Sequence, residues 1–225
     1  GSVFMARILI TSGPTRQYLD PVRYLTNASS GRMGSALAAA VLEAGHQVVL
    51  VSGPVQITYP ENLELHWVTS TEEMLQKCNE LFSRCDGMIG VAAPCDYRPE
   101  KIAPQKIAKT GDPLQMKLME TEDIVAQMGK QKGNRWVVGF ALETEDPRLR
   151  ALVKLEKKSC DLMVLNGVEA MHAETNSVEI LEPSGGLIGT FQGKKEAVAA
   201  DIFRVIQERL IGETKESVST ALHSR

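Results

Sequence analysis

Cysteine is scarce in this chain of 225 residues, and its four cysteines, Cys78, Cys85, Cys95 and Cys160, are scattered. None forms a close pair with metal-ligand spacing, and four thiols are too few for a disulfide scaffold. Reduced thiols in a cytoplasmic protein are the expectation. Basic charge is not in excess either. The net charge is -3, whereas a general nucleic-acid binder carries a basic surplus or stripe. No apolar run is long enough to span a bilayer. The first residues lack the basic, apolar and cleavage segments of a signal peptide. Neither nucleic acid nor membrane is therefore an expected partner. What is present is ordinary globular composition, 43% hydrophobic and 24% charged, with ample chain for a core.

Strand and helix signals alternate along the chain. Short apolar runs at residues 7–11, 48–51, 65–68, 87–93, 136–141 and 162–165 read as strands. The alanine-rich stretch 33–44, with Met33, Leu37 and Val41 on one face and Gly45 as its cap, reads as a helix, as does 71–82. Wholly apolar strands between helices predict an α/β fold, Rossmann-like, with a mainly parallel sheet and helices on both faces. Two segments break the rhythm. Residues 94–113 carry Pro94, Pro99, Pro104 and Pro113 among basic residues, and so predict a mobile functional flap. Residues 177–192 predict a β-hairpin about Pro183-Ser-Gly-Gly186, followed by an amphipathic helix over 197–210. The expected organisation is one domain over 5–211 and a polar tail over 212–225.

The turn Ser29-Ser-Gly-Arg-Met-Gly34 opens the first helix. Gly31 and Gly34 fill the last two glycine positions of a dinucleotide fingerprint, with Ser29 in place of the first. Such a turn lets a phosphate approach the backbone and the N–H groups of the helix end. A small-residue helix entry can also be purely structural. Three features depart from a nicotinamide site. The turn lies well beyond the first strand; the second strand ends in Ser52-Gly-Pro54 with no acidic residue for a ribose; and Tyr97 and Lys101, spaced like a dehydrogenase pair, are split by Pro99.

The longer run Ser12-Gly-Pro-Thr-Arg16, Asp20-Pro-Val-Arg-Tyr24 and Asn27-Ala-Ser-Ser-Gly-Arg-Met-Gly34 resembles the signature of the bacterial phosphopantothenoylcysteine synthetases, or phosphopantothenate–cysteine ligases. Ala92-Ala-Pro-Cys-Asp-Tyr-Arg98, Ile102-Ala-Pro-Gln-Lys-Ile-Ala-Lys109 and Val137-Val-Gly-Phe-Ala-Leu-Glu-Thr144 agree in the same order, and Lys154 and Lys158 precede Asp161 to Asn166. The resemblance covers roughly residues 5–211. It implies an enzyme of coenzyme A biosynthesis that activates 4′-phosphopantothenate with CTP (ATP being less expected) and Mg²⁺. Cysteine then attacks the acyl-nucleotidylate to give an amide. Nothing here resembles the flavin decarboxylase often fused to such domains, so no flavin is expected on this chain.

The resemblance also implies roles. Gly13, Ser29, Gly31 and Gly34 would cradle phosphate, because attack on a triphosphate needs N–H donors and cations about the reacting groups. Lys106 would close over the site from the flap. Lys154 and Lys158, one helical turn apart, would face one ligand, with Asn166 nearby, while Lys157 reads as a solvated face. Asn27 would contact the acyl group, and Arg23 would reach the neighbouring subunit's pantothenate site in a homodimer. Ala92, Ala93 and Asp96 would hold substrate or nucleotide, and Phe140 would pack on the base. The metal ligands are not identifiable. Pro94, Cys95, Leu142 and Gly167 depart from the family pattern and bear on nucleotide preference. An NAD(P)-dependent oxidoreductase and a non-catalytic nucleotide-binding paralogue are the alternatives.

Overall fold

The computed structural model describes residues 4–167 and 175–212. Six strands run parallel: β1 (Arg7–Ser12), β4 (Gln47–Ser52), β5 (Glu64–Trp67), β6 (Gly87–Gly90), β9 (Trp136–Leu142) and β10 (Leu162–Asn166). The hairpin β11 (Thr175–Leu181) and β12 (Leu187–Lys194) joins antiparallel at β10. The sheet order is β12-β11-β10-β9-β6-β1-β4-β5. Chain order therefore reverses between β1 and β6, so a crevice opens at their C-terminal ends.

Burial on both faces explains the apolar strands. Successive side chains alternate sides, so Ile8, Ile10, Leu50, Val138 and Val164 enter one core and Leu9, Val49, Val51, Met88 and Val137 enter the other. The helices α1 (Arg32–Glu43) and α5 (Lys195–Ile206) cover the first face through Leu37, Val41, Ile202 and Ile206. On the second face lie α2 (Thr71–Leu81), α3 (Ile124–Gln131) and α4 (Pro147–Lys157), through Met74, Met128 and Leu155. Local signals set the helix ends. Ser70 and Glu73 form a reciprocal cap on α2, Asp123 accepts from the Ala126 N–H at α3, and proline opens α4. Gly45, at φ 88°, ends α1.

Several elements differ from the sequence expectation. The strand expected over 87–93 leaves the sheet after Gly90, although Ala93 still bridges Pro14. Two small antiparallel pairs were not foreseen: β2 (Arg16–Tyr18) with β3 (Tyr24–Thr26), and β7 (Tyr97–Pro99) with β8 (Leu118–Glu120). The last helix starts at Lys195, earlier than expected, and ends in a π-helical turn over Gln207–Ile211. Of the expected tail, all but Gly212 lies outside the described residues. All four cysteines are free and buried. Burial pushes the thiols of Cys78 and Cys160 up to about 12 and that of Cys85 to about 11, which leaves them unreactive near neutrality. No helix among the described residues is long and apolar enough to cross a membrane.

A tight seam lies between α3 and the end of α4. A Cβ on Gly129 would stand 1.9 Å from the Lys158 carbonyl oxygen, which is backbone and cannot swing aside. Gly129→Ala should therefore lower unfolding free energy by about 2–3 kcal/mol in urea titrations. A loss below about 0.5 kcal/mol would show that the seam is loose.

Candidate functional site

The crevice at the chain reversal is an open cleft of about 680 Å³. Its floor comes from the exits of the central strands: Ser12 and Gly13 after β1, Val91 to Ala93 after β6, Phe140 to Leu142 on β9, and Asn166 and Gly167 after β10. The β1 and β6 exits are stitched together, since Ala93 N–H donates to Gly13 O at 2.9 Å and Val91 N–H to Thr11 O at 3.2 Å. One wall is the turn 26–34 that enters α1.

That turn is built for close approach. Gly31 caps α1 at φ 79°, a left-handed conformation suited to glycine, and no side chain caps the helix there. The Arg32 N–H donates to Ser30 Oγ at 3.3 Å, and the N–H groups of Met33 and Gly34 are left for an anion. A Cβ on Gly34 would fall 2.0 Å from Ser12 Oγ, so glycine is what lets α1 lie against the end of β1. A hydroxyl chain stiffens the seam from below. Ser52 Oγ lies 2.6 Å from Tyr59 Oη, which donates to Ser12 Oγ at 2.9 Å, and that hydroxyl reaches the Gly31 carbonyl at 3.4 Å. Ser52, where a nicotinamide site would want an acid, is wholly buried in this chain of hydroxyls.

Of the residues singled out in the sequence, Gly13, Asn27, Ser29, Gly31, Gly34, Ala92, Ala93, Asp96, Phe140 and Asn166 all line the cleft. Asn27 Nδ2 donates to the Pro94 carbonyl at 2.8 Å, so the unexpected proline supplies the acceptor that fixes this amide. Asn166 Oδ1 is buried and has no hydrogen-bond partner among the described residues. Four others lie outside the cleft lining. Lys154 pairs with Glu143, and Lys158 pairs with Asp123 at 3.1 Å, so residues one turn apart are drawn to different carboxylates and do not face one ligand. Lys106 is exposed on the flap, and Arg23 is bound to Asp20.

Sequence reasoning missed Arg32, Asn176 and Lys195, which also line the cleft. Lys195 Nζ donates to Asn176 Oδ1 at 2.8 Å. Burial, and then the Arg32 guanidinium, hold its ammonium below the ordinary lysine range. The available signal was positional: Lys195 is the first helical residue after the β-hairpin, at the strand ends where α/β sites form. Among the described residues no group of three or more histidine, cysteine, aspartate or glutamate side chains is placed to hold a metal ion.

Known proteins share both the sequence pattern and the fold of this chain. Residues 4–210 match the family described as the DNA/pantothenate metabolism flavoprotein C-terminal domain. The coenzyme A biosynthesis bifunctional protein CoaBC of Haemophilus influenzae is 39% identical over 206 residues, covering 90% of this chain and 51% of that protein. Its namesake in Vibrio vulnificus strain YJ016 is 42% identical over 207 residues, covering 89% of this chain and 51% of that protein. The chain thus spans about half the length of these curated relatives. The crystal structure of the C-terminal domain of a coenzyme A biosynthesis bifunctional protein CoaBC superposes with a TM-score of 0.79 at 32% identity. That match covers 94% of this chain and 100% of that domain.

The flap is tied down more firmly than its prolines suggested. Asp20 is fully buried, and its carboxylate accepts from the N–H groups of Val22, Arg23 and Ile107 at 2.7–3.1 Å. The Arg23 guanidinium bonds the same carboxylate and donates to Ile107 O at 3.2 Å, and Ala103 N–H donates to Leu19 O at 3.0 Å. Burial alone would raise the Asp20 pKa, but these donors outweigh it and hold the carboxyl well below the usual range. A depressed carboxylate stabilises the fold above its unfolded pKa near about 4, and that contribution is lost as pH falls toward its folded value. The anchor should accordingly persist through mildly acidic pH. Asp20→Asn should speed hydrogen exchange at the Ile107 amide by about tenfold or more at neutral pH. An unchanged protection factor would show that the carboxylate does not hold the flap.

Proposed function

Because the chain belongs to the family of DNA/pantothenate metabolism flavoprotein C-terminal domains, we propose that it is a phosphopantothenate–cysteine ligase using CTP, acting in coenzyme A biosynthesis. The observation that carries this reading is the cleft itself. One concave surface joins an uncapped glycine helix entry, suited to phosphate, with a neutral amide at Asn27 and an aromatic ring at Phe140. The relatives' names supply the pathway. A nicotinamide site finds no support at Ser52, and Tyr97 lies on a strand that ends at Pro99, so no helix pairs it with Lys101.

In the proposed reaction a carboxylate oxygen of 4′-phosphopantothenate attacks the α-phosphorus of CTP. The bond to pyrophosphate breaks, leaving an acyl-cytidylate. The cysteine amine then adds to the acyl carbon, CMP departs, and an amide forms with loss of a proton. The N–H groups of the turn at Gly31 meet the phosphates, with Ser29 and Gly13 beside them. Phe140 packs on the base, and the orphan Asn166 Oδ1 accepts from an amino N–H. Mg²⁺ carried on nucleotide phosphates takes only one or two protein carboxylates, and Asp96 is the carboxylate of the cleft lining that fits this need. Bound there, the ion would neutralise phosphate charge. Asn27, held by Pro94, donates to the acyl oxygen as it gains charge. Lys106 arrives from the flap to neutralise the departing pyrophosphate.

The active form in this reading is a homodimer. The hairpins β2–β3 and β7–β8 lie side by side and expose Val22, Tyr24, Tyr97, Leu118 and Met119, apolar side chains that a second copy would cover. Arg23, on the same hairpin, would act across that boundary. Mixing Arg23→Ala with Asn27→Asp subunits should restore part of the activity through hybrid dimers, whereas inactive mixtures with proven subunit exchange would refute the trans role.

The two half-reactions can be separated. With CTP, Mg²⁺ and 4′-phosphopantothenate, Asn27→Asp should release pyrophosphate and accumulate the mixed anhydride, detected by mass spectrometry. Lys106→Gln should form neither, and each variant should lose about 10²- to 10³-fold in overall rate. CTP should give the higher kcat/KM. Normal turnover by Lys106→Gln would overturn the division of labour, and an equal or better kcat/KM for ATP would overturn the nucleotide assignment.

A further inference from the structure

Three charged side chains belong to the cleft lining: Arg32, Asp96 and Lys195. The two cations are not neutralised where they stand. Among the described residues no carboxylate forms an ion pair with either. Lys195 instead donates to a neutral acceptor, Asn176 Oδ1. Asn176 is itself buried, 6% exposed, so this contact holds the lysine in place without cancelling its charge.

The fold brings the pair together deliberately. In the hairpin, Asn176 is opposite Gly193 and Thr175 is opposite Lys194, so the chain leaves β12 and enters α5 with Lys195 beside Asn176. Helix α5 packs on α1 across the same face of the sheet, which sets Lys195 near Arg32 at the opening of α1. The two charges are close enough for Arg32 to depress the lysine's proton affinity, against a smaller opposing effect of Glu196. Two like charges facing one open polar cleft raise the free energy of the empty site, and an anion between them reverses the sign. Lys154 and Lys158, also expected at the site, are paired with Glu143 and Asp123 and lie outside the cleft lining.

We infer that Lys195 and Arg32 form the resident polyphosphate clamp of the cleft, with Asn176 aiming the lysine. The inference rests on the nucleotide reading above and names the side chains that hold the nucleotide's negative charge. The guanidinium offers a planar fork for two phosphate oxygens, and the ammonium offers a point charge beside it. Lys195 is a binding residue here, since it acts before any bond changes.

Calorimetric titration of the whole chain with CTP, with inorganic tripolyphosphate and with cytidine tests the clamp. Lys195→Met keeps the length of the side chain and removes its charge. It should weaken CTP and tripolyphosphate by about 10- to 100-fold and leave cytidine unchanged. Lys195→Arg should recover most of the loss, and Asn176→Ala, which frees the lysine without discharging it, should fall between. Affinities within about twofold of wild type in Lys195→Met would overturn the clamp, as would a loss for cytidine equal to that for tripolyphosphate. A wild-type protein that holds tripolyphosphate through Lys195 but holds CTP no better would keep the clamp and refute the nucleotide reading.

Discussion

The contact between Gly34 and Ser12 is the constraint on which the site depends. A Cβ at position 34 would fall 2.5 Å from Ser12 Cβ and 2.0 Å from its hydroxyl, so any other residue would lift α1 off the end of β1. With glycine there, the helix lies flat and its uncapped N-terminus opens over the point where the sheet reverses order. The buried hydroxyls beneath then follow as a consequence. Ser12, Ser52 and Tyr59 are buried at this seam and satisfy one another. Gly53 repeats the device beside it, because a Cβ there would strike the Pro14 carbonyl at 1.5 Å. The β1 and β4 exits are thus pressed together as closely as backbone allows, and the wall above them inherits their rigidity.

The distribution of charge follows from the same geometry. Carboxylates near the sheet's upper edge sit on the α3 and α4 side, where Asp123 caps a helix and Glu143 leaves β9, and they draw Lys158 and Lys154 to themselves. The α1 and α5 side carries Arg32 and Lys195, and among the described residues no carboxylate forms an ion pair with either. The cleft therefore has a neutralised flank and a positive wall, and a polyanion would lie along the latter.

The central parallel strands were legible in the sequence because they are buried on both faces, which leaves the continuous apolar runs from Ile8 to Ile10, Val48 to Val51 and Val137 to Val138. The glycine turn was legible because backbone approach restricts residue type. The small pairs β2–β3 and β7–β8 were not, since three-residue strands with exposed side chains carry no period to detect. Lys154 and Lys158 show the limit of spacing arguments. Four residues apart does place two side chains on one helical face, but Lys158 is already the cap residue, and tertiary carboxylates chose the partners. Asp20 was quoted only as part of a motif; its role as anchor required knowing that Ile107, 87 residues away, presents its N–H there. Lys195 was hidden for a similar reason, since its neighbour Asn176 is set by hairpin register and its neighbour Arg32 by helix packing.

On the proposed reading the site holds two kinds of cation, and their burial separates their tasks. Lys195 is half-buried before any ligand arrives, so its desolvation is already incurred in the folded protein and its attraction is present for any polyphosphate that enters. Such a contact favours ground state and transition state alike, and so lowers KM more than it raises kcat. Lys106 stays in water on a flap anchored one residue away at Ile107. It loses hydration only when the flap moves over the ligand, and its charge then counts most where negative charge is growing, on the pyrophosphate that leaves. The buried Asp20 anchor makes that difference possible. It fixes the base of the flap by main-chain bonds, so closure is a displacement of a short tethered segment, and the entropy of ordering a free loop of some twenty residues need not be met at each turnover.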